Sequence, residues 1–294
     1  MTSTLLDFSQ KSDLIPLATV VQALQVVAQP LGIDYFLMGA AARDLMLQHA
    51  HNIAPSRKTE DVDFAASVPD WPSFESLRAA LLGSDQFSGR PGPAIHKLRH
   101  KATGLPLDIV PFGGIENTDR TISWPPDHHT VFDCFGAREA FKASIPVQLP
   151  NNVTLRVASI PALALLKLTA WEDRKHSHPG RDAGDLLLYV RHYMDCDNYD
   201  RAAQDHSDLF TTDDYDHEAT GARLLGRDIA NLLDKQSIEP VLSILLPQAD
   251  TGGPLLLAQQ SGLDLEHARR LIEALCDGLT DNLQDEGTSG GRPR

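Results

Sequence analysis

Thr59-Glu60-Asp61-Val62-Asp63-Phe64-Ala65-Ala66-Ser67-Val68 is the stretch from which the fold can be read. Its later part is apolar, and two aspartates one residue apart stand at its start. Successive side chains of a strand point to opposite faces, so Asp61 and Asp63 share a face while Val62 and Phe64 take the other. Two residues along a strand span roughly 6.6 Å, which lets both carboxylates converge on one or two divalent cations. A third acid, Asp108, sits within the apolar run Leu107-Asp108-Ile109-Val110, read as a strand buried in the same sheet. A carboxylate there is costly unless something pairs with it, and a cation shared with Asp61 and Asp63 removes that cost. Alone, a D-x-D pair is most often a solvated pair of acids, and Asp108 alone could be a salt-bridged core acid. Order and spacing strengthen the joint reading: a strand closing on Gly39, a helix, the D-x-D pair, then the strand acid about 45 residues later.

Working outward, residues 14–29 place Leu14, Leu17, Val20, Val21, Leu24 and Val27 at helical spacing, ended by Pro30-Leu31-Gly32. The run 33–39 reads as a strand, residues 40–49 as a helix and residues 72–83 as another helix. Residues 94–112 suggest a hairpin turning at Thr103-Gly104, and residues 145–160 a second one turning at Asn151-Asn152. Residues 115–145 are mixed and proline-rich and give no clear element. Beyond Pro161 the pattern is helical at 161–175, 181–194, 218–235, 238–246 and 264–280, with an acidic, solvated connection over 195–217. The expected organisation is α+β: a mixed β-sheet flanked by helices over residues 1–158, a helical part over 159–280, and a disordered tail over 281–294.

The chain has 294 residues and a net charge of −14, which argues against a surface built to coat a nucleic-acid duplex, though not against docking one RNA end. The sequence holds no uninterrupted apolar run long enough to span a bilayer and no basic leader with an apolar core, so no membrane contact is expected. Cys134, Cys196 and Cys276 are far apart and odd in number, which fits reduced thiols in a cytoplasmic protein.

Taken in order, these motifs resemble the DNA polymerase beta-like nucleotidyltransferase superfamily and, more narrowly, the AbiEii/AbiGii toxin-type nucleotidyltransferases. The resemblance spans roughly residues 34–194. FLMGAAARDL (36–45) is similar to the family's glycine turn. It implies that Gly39 and the amide of Ala40 hold nucleotide phosphates, as backbone amides at a helix start can. The family usually has Gly-Ser or Gly-Gly here, so Ala40 would grip through its backbone alone. TEDVDF supplies Asp61 and Asp63 and GLPLDIVPF supplies Asp108 as metal ligands. Residues 165–186 are similar to the family's helical lysine, arginine and R-D-x-x-D helix. That implies Lys167 as a catalytic phosphate contact and Asp182 as an outer or catalytic acid. Arg174 and Arg181 follow as weaker nucleotide-binding candidates. On the residues alone, Lys167 could be a snorkelling lysine, Asp182 a helix-start acid, and Asp185 a salt-bridge partner of an arginine.

The resemblance thus implies a Mg²⁺-dependent enzyme, with two ions and Mn²⁺ as a substitute, that moves NMP from an NTP to a hydroxyl with release of pyrophosphate. An RNA or tRNA end is the favoured acceptor, and a cognate antitoxin the expected partner. A small-molecule or protein acceptor, or an inactive nucleotide-binding module, are the alternatives. Other signals carry less. DCDNYD (195–200) fails as a calcium loop because Asp200 stands where glycine is required. The histidines lack matched ligand spacing, and no P-loop is present. The basic run His96-Lys97-Leu98-Arg99-His100-Lys101 either holds an acceptor's phosphates or solvates a hairpin arm.

Overall fold

The computed structural model describes residues 5–55, 57–89, 95–125, 128–211 and 215–284. The chain divides into two compact units, Met1–Ala50 with Arg57–Ser159, and His51–Ser56 with Ile160–Arg294.

In the first unit the strands are β1 (Leu6–Asp7), β2 (Tyr35–Met38), β3 (Val62–Val68), β4 (Phe87–Gly89), β5 (Lys97–His100), β6 (Pro106–Gly113), β7 (Thr121–Ser123), β8 (Val131–Asp133), β9 (Ile145–Leu149) and β10 (Val153–Val157). Its helices are α1 (Ile15–Ala28), α2 (Gly39–Arg43), α3 (Trp71–Gly83) and α4 (Ala137–Lys142). Eight strands form one mixed sheet in the order β1-β9-β10-β2-β3-β6-β5-β4, and β7 pairs with β8 separately. The central neighbours β3 and β6 are parallel, whereas β2 and β5 flank them antiparallel. Both expected hairpins are present. Gly104 (φ 71°) turns β5 into β6, and Asn151 and Asn152 (φ 61° and 58°) turn β9 into β10. Each turn needs left-handed backbone, which glycine and asparagine tolerate best.

One face of α1 packs Leu17, Val20, Val21, Leu24 and Val27 into the core, as its spacing predicts. The segment Ser12–Leu31 is apolar enough, at a mean hydropathy of 1.5, to pass as a membrane span by composition. Its buried face makes it a core helix. The Asp70 side chain caps α3 by accepting from the Ser73 amide at 2.9 Å. After α2 the helix continues over Asp44–His49 with wider π-type turns.

Three expectations need correction. Asp61 is not on the strand: β3 begins at Val62, so only Asp63 is held by the sheet ladder. The acidic stretch 195–217 is not merely a connection. It folds into α7 (Tyr199–Asp205) and a 3₁₀ turn at Ser207–Phe210, anchored by buried Ala202 and Leu209. Residues 115–145 contain β7, β8 and α4.

The second unit adds α5 (Ile160–Arg174), α6 (Arg181–His192), α8 (His217–Leu232), α9 (Lys235–Ala249), α10 (Leu256–Gln260) and α11 (Leu265–Gln284) to α7. Helices α8 and α11 approach closely through Gly226 and Gly278. A Cβ at Gly278 would lie 1.9 Å from the Arg223 carbonyl oxygen, so only glycine permits this crossing. Beside it Arg223 and Arg227 both bind Asp281, at 2.7 and 2.6 Å. The expected tail begins inside α11, and residues 285–294 lie outside the described residues. All three cysteines are free and buried. Burial pushes each thiol up to about 12, which suits packing rather than nucleophilic chemistry.

Candidate active site

Four adjacent strands place one residue each in a single row across the sheet. Met38 of β2 pairs with Asp63 of β3, Asp63 with Asp108 of β6, and Asp108 with Lys97 of β5. Partner residues in a ladder project from the same face, so the two carboxylates and the ammonium emerge side by side. Asp61, one residue ahead of β3, brings a third carboxylate to the same place. Ligand oxygens of Asp61, Asp63 and Asp108 all lie within 4.8 Å of one another. The outward pair Val62 and Phe64 is buried on the opposite face, at 4% and 0% exposure.

The β2–α2 corner closes against this cluster. Gly39 has φ 69°, and a Cβ built on it would lie 2.0 Å from Asp63 Oδ2. Any other residue would therefore displace the carboxylate as well as strain the backbone. Ala40 is buried, leaving its backbone as its only polar offering.

Asp108 is the most buried of the three acids. Lys97 Nζ donates to its Oδ2 at 2.6 Å, and its Oδ1 is buried without a hydrogen-bond partner among the described residues. A buried, unpartnered carboxylate oxygen costs free energy unless a cation or donor reaches it. That oxygen, together with the two nearby carboxylates, is a donor set suited to a hard divalent cation, while the Lys97 ammonium beside it opposes one. Next to Lys97, the His96 ring packs against Trp124 and Phe132 at centroid distances of 4.9 and 5.8 Å. Burial holds its imidazole below the ordinary value, opposed by the Asp108 charge.

The segment ahead of Asp61 is tied to the first helix. Arg43 is fully buried and donates through Nε and Nη2 to Asp44 Oδ1, at 2.9 and 2.7 Å. Its Nη2 also reaches the Arg57 carbonyl at 3.1 Å and Thr59 Oγ1 at 3.3 Å. The Thr59 hydroxyl donates in turn to Asp44 Oδ2.

The remaining sequence candidates form a separate cluster in the second unit. Lys167 of α5 places Nζ 2.9 Å from Asp182 Oδ1 and 2.8 Å from Asp185 Oδ2, both on α6 and both 1% exposed. Arg174 Nη2 reaches Asp182 Oδ2 at 2.9 Å. Lys167 is thus not a snorkelling lysine but the counter-ion of two buried aspartates. The residue before α6 is the left-handed Gly180, and Asp182 binds side chains rather than capping the helix. Arg181 is exposed.

Reading the sequence alone missed the role of Lys97 and the whole Arg43–Asp44–Thr59 network. Lys97 left a partial signal, a basic arm facing the strand of Asp108, but a turn centred on Thr103-Gly104 would set Arg99 there, whereas the observed register pairs Arg99 with Pro106 and Lys97 with Asp108. Arg43 leaves no such signal, because an arginine among helix formers is ordinarily exposed.

Residues 22–250 match the family model described as nucleotidyl transferase AbiEii toxin, type IV TA system. The chain belongs to the AbiEii nucleotidyltransferase family. None of the curated proteins matches the chain. Among solved structures it is similar to an antigenic nucleotidyltransferase-like protein from Paracoccidioides brasiliensis. Identity is 21%, with 68% of this chain and 92% of that one covered and a TM-score of 0.41. It is also similar to ANT(2'')-Ia in complex with adenylyl-2''-tobramycin, at 12% identity, 59% and 87% coverage and a TM-score of 0.36. A third likeness is to the Thermotoga maritima CCA-adding enzyme complexed with tRNA, at 13% identity, 94% and 84% coverage and a TM-score of 0.23. The family match carries the assignment.

Proposed function

We propose that this AbiEii nucleotidyltransferase moves NMP from an NTP to a hydroxyl acceptor, using Asp61, Asp63 and Asp108 as ligands for divalent cations, Mg²⁺ by preference and Mn²⁺ as a substitute. The observation that carries the proposal is the convergence of three carboxylates, one of which, Asp108, has a buried oxygen with no hydrogen-bond partner among the described residues. When bound, such ions lower the pKa of an attacking hydroxyl and neutralise charge on leaving pyrophosphate. The chain's own residues do the rest. Asp61 and Asp63 fix the cradle, and Asp108 takes part in accepting the hydroxyl proton. The acceptor oxygen then bonds the α-phosphorus as the bond to the bridging oxygen of pyrophosphate breaks. Gly39 holds the turn against Asp63 and, with Ala40, offers backbone amides to phosphate oxygens. Lys167 is assigned to triphosphate contact, with Arg174 and Arg181 as further contacts and Asp182 as the acid that orients Lys167. For Lys167 such a contact requires phosphate oxygens to compete with Asp182 and Asp185.

Residues 1–158 form the catalytic domain in this reading and 159–280 the helical one. The acceptor is an RNA end, tRNA foremost. The protein acts in the cytoplasm as the toxin of a pair, with an antitoxin as partner. A small-molecule acceptor is the second reading, favoured by the net charge of −14, which opposes long nucleic-acid contacts. The test supplies each labelled NTP with total RNA, aminoglycosides or lysate protein. Label should pass to RNA with wild type and not with a folded Asp63→Asn variant. Equal transfer by that variant would overturn the mechanism, and label on the small molecules alone would select the second reading.

A further inference from the structure

Two of the three carboxylates are placed by the sheet: Asp63 and Asp108 face each other in the β3–β6 ladder. Asp61 is different. It precedes β3 and has no ladder partner, so something else must set where its carboxylate points. The chain just ahead of it is fastened at two points, the Arg57 carbonyl, which accepts from Arg43, and the Thr59 hydroxyl, which bonds both Arg43 and Asp44. Arg43 ends α2, the helix that opens at Gly39, whose Cα sits against Asp63.

We propose that Arg43, Asp44 and Thr59 form a brace whose function is to position Asp61 for cation binding. Arg43 and Asp44 are adjacent in the chain and pair through their side chains at 2.7 Å. Sequestering a guanidinium completely is expensive unless its donors are used, and here they serve to hold the approach to Asp61. The Thr59 hydroxyl is central, since it accepts from Arg43 and donates to Asp44 while lying two residues from Asp61. The brace thus couples the glycine corner, which fixes Asp63, to the loop residue that would otherwise be free to swing. None of the three touches the reacting atoms, so they are positioning residues. This inference rests on the proposed cation role of the three aspartates.

The test uses the full chain and reads Mn²⁺ affinity by electron paramagnetic resonance, alongside kcat and KM for NMP transfer. Thr59→Val keeps the shape and removes the hydroxyl. Loss of a group hydrogen-bonded to a metal ligand weakens affinity about 10- to 100-fold; Thr59 acts on Asp61 through the chain, so the fall expected is at the lower end, about tenfold, with kcat reduced and KM for NTP little changed. Thr59→Ser, which restores the hydroxyl, should recover both. Arg43→Lys, which keeps the charge but not the fork, should fall like Thr59→Val. A folded Thr59→Val with wild-type Mn²⁺ affinity overturns the brace while leaving the cation reading intact. Unfolding of Thr59→Val at assay temperature also overturns it, because the network would then hold the fold rather than Asp61. Equal Mn²⁺ binding by wild type and Asp63→Asn removes the cation reading and the brace with it.

Discussion

Replacing Lys97 by methionine should tighten divalent-cation binding. The ammonium stands 2.6 Å from Asp108 Oδ2, within the row that carries Asp63 and Asp108, so an incoming cation meets a resident positive charge. Two unit charges about 4 Å apart interact by about 4 kcal/mol at an effective dielectric of 20, whereas exposed pairs are worth about 0–1 kcal/mol. Lys97 is 36% exposed and Asp108 12%, which places this contact between those limits. Taking about 1–2 kcal/mol, and about 1.4 kcal/mol per tenfold, removal of the charge should lower the Kd for Mn²⁺ roughly 5- to 30-fold. Methionine keeps most of the aliphatic stem, so packing changes little. Calorimetric titration of the apo chain with Mn²⁺ at low and high salt gives the answer, and the gain should shrink as salt rises. Lys97→Arg keeps the charge and should stay near wild type. Weaker binding by Lys97→Met would refute the reasoning. It would mean that the lysine matters chiefly for aiming Asp108, not for occupying the cation's electrostatic place.

Two other outcomes follow from burial. Lys167→Met leaves Asp182 and Asp185, each 1% exposed, with one counter-ion fewer, and should destabilise the chain by about 3–5 kcal/mol in urea unfolding. A loss below about 1 kcal/mol would show that the cluster is better hydrated than its burial implies. Burial holds the imidazoles of both His96 and His100 below the ordinary value of 6.5. The unfolded chain therefore binds more protons near that pH, and their contribution to stability is present above 6.5 and lost as pH falls toward the depressed values. Urea midpoints at about pH 7.5 and about pH 5.5 should differ more for wild type than for His100→Asn, and equal differences would contradict the assignment.

The clustering of the three acids was legible because its signals are written locally. Asp61 and Asp63 are two residues apart, Asp108 is an acid in an otherwise apolar strand, and Gly39 closes a run that can only be a strand. The helices α1 and α5 declare themselves through spacing over several turns. Elements of two or three residues do not: β1 and β4 are too short for alternation to register. The β7–β8 pair and α7 are fixed by the packing of their few apolar residues, Phe132 of β8 against Trp124 in the first case and buried Ala202 of α7 in the second. The Arg43 network escaped because it is a property of burial, and sequence alone does not show that an arginine is fully covered. Asp61 was misplaced for a related reason. The D-x-D spacing is indifferent to whether the strand starts one residue earlier or later.

The Lys97–Asp108–Asp63 row also makes a turn of the β5–β6 hairpin into a calibration device. The pairing of Lys97 with Asp108 is set by the connection between His100 and Pro106, so inserting a single residue there next to β5 would advance the arm by one step and rotate Lys97 to the far side of the sheet. Lengthening that connection by one is therefore a change of charge beside Asp63 and Asp108, although it touches nothing there. Loop length in this hairpin is constrained by chemistry, not by compactness.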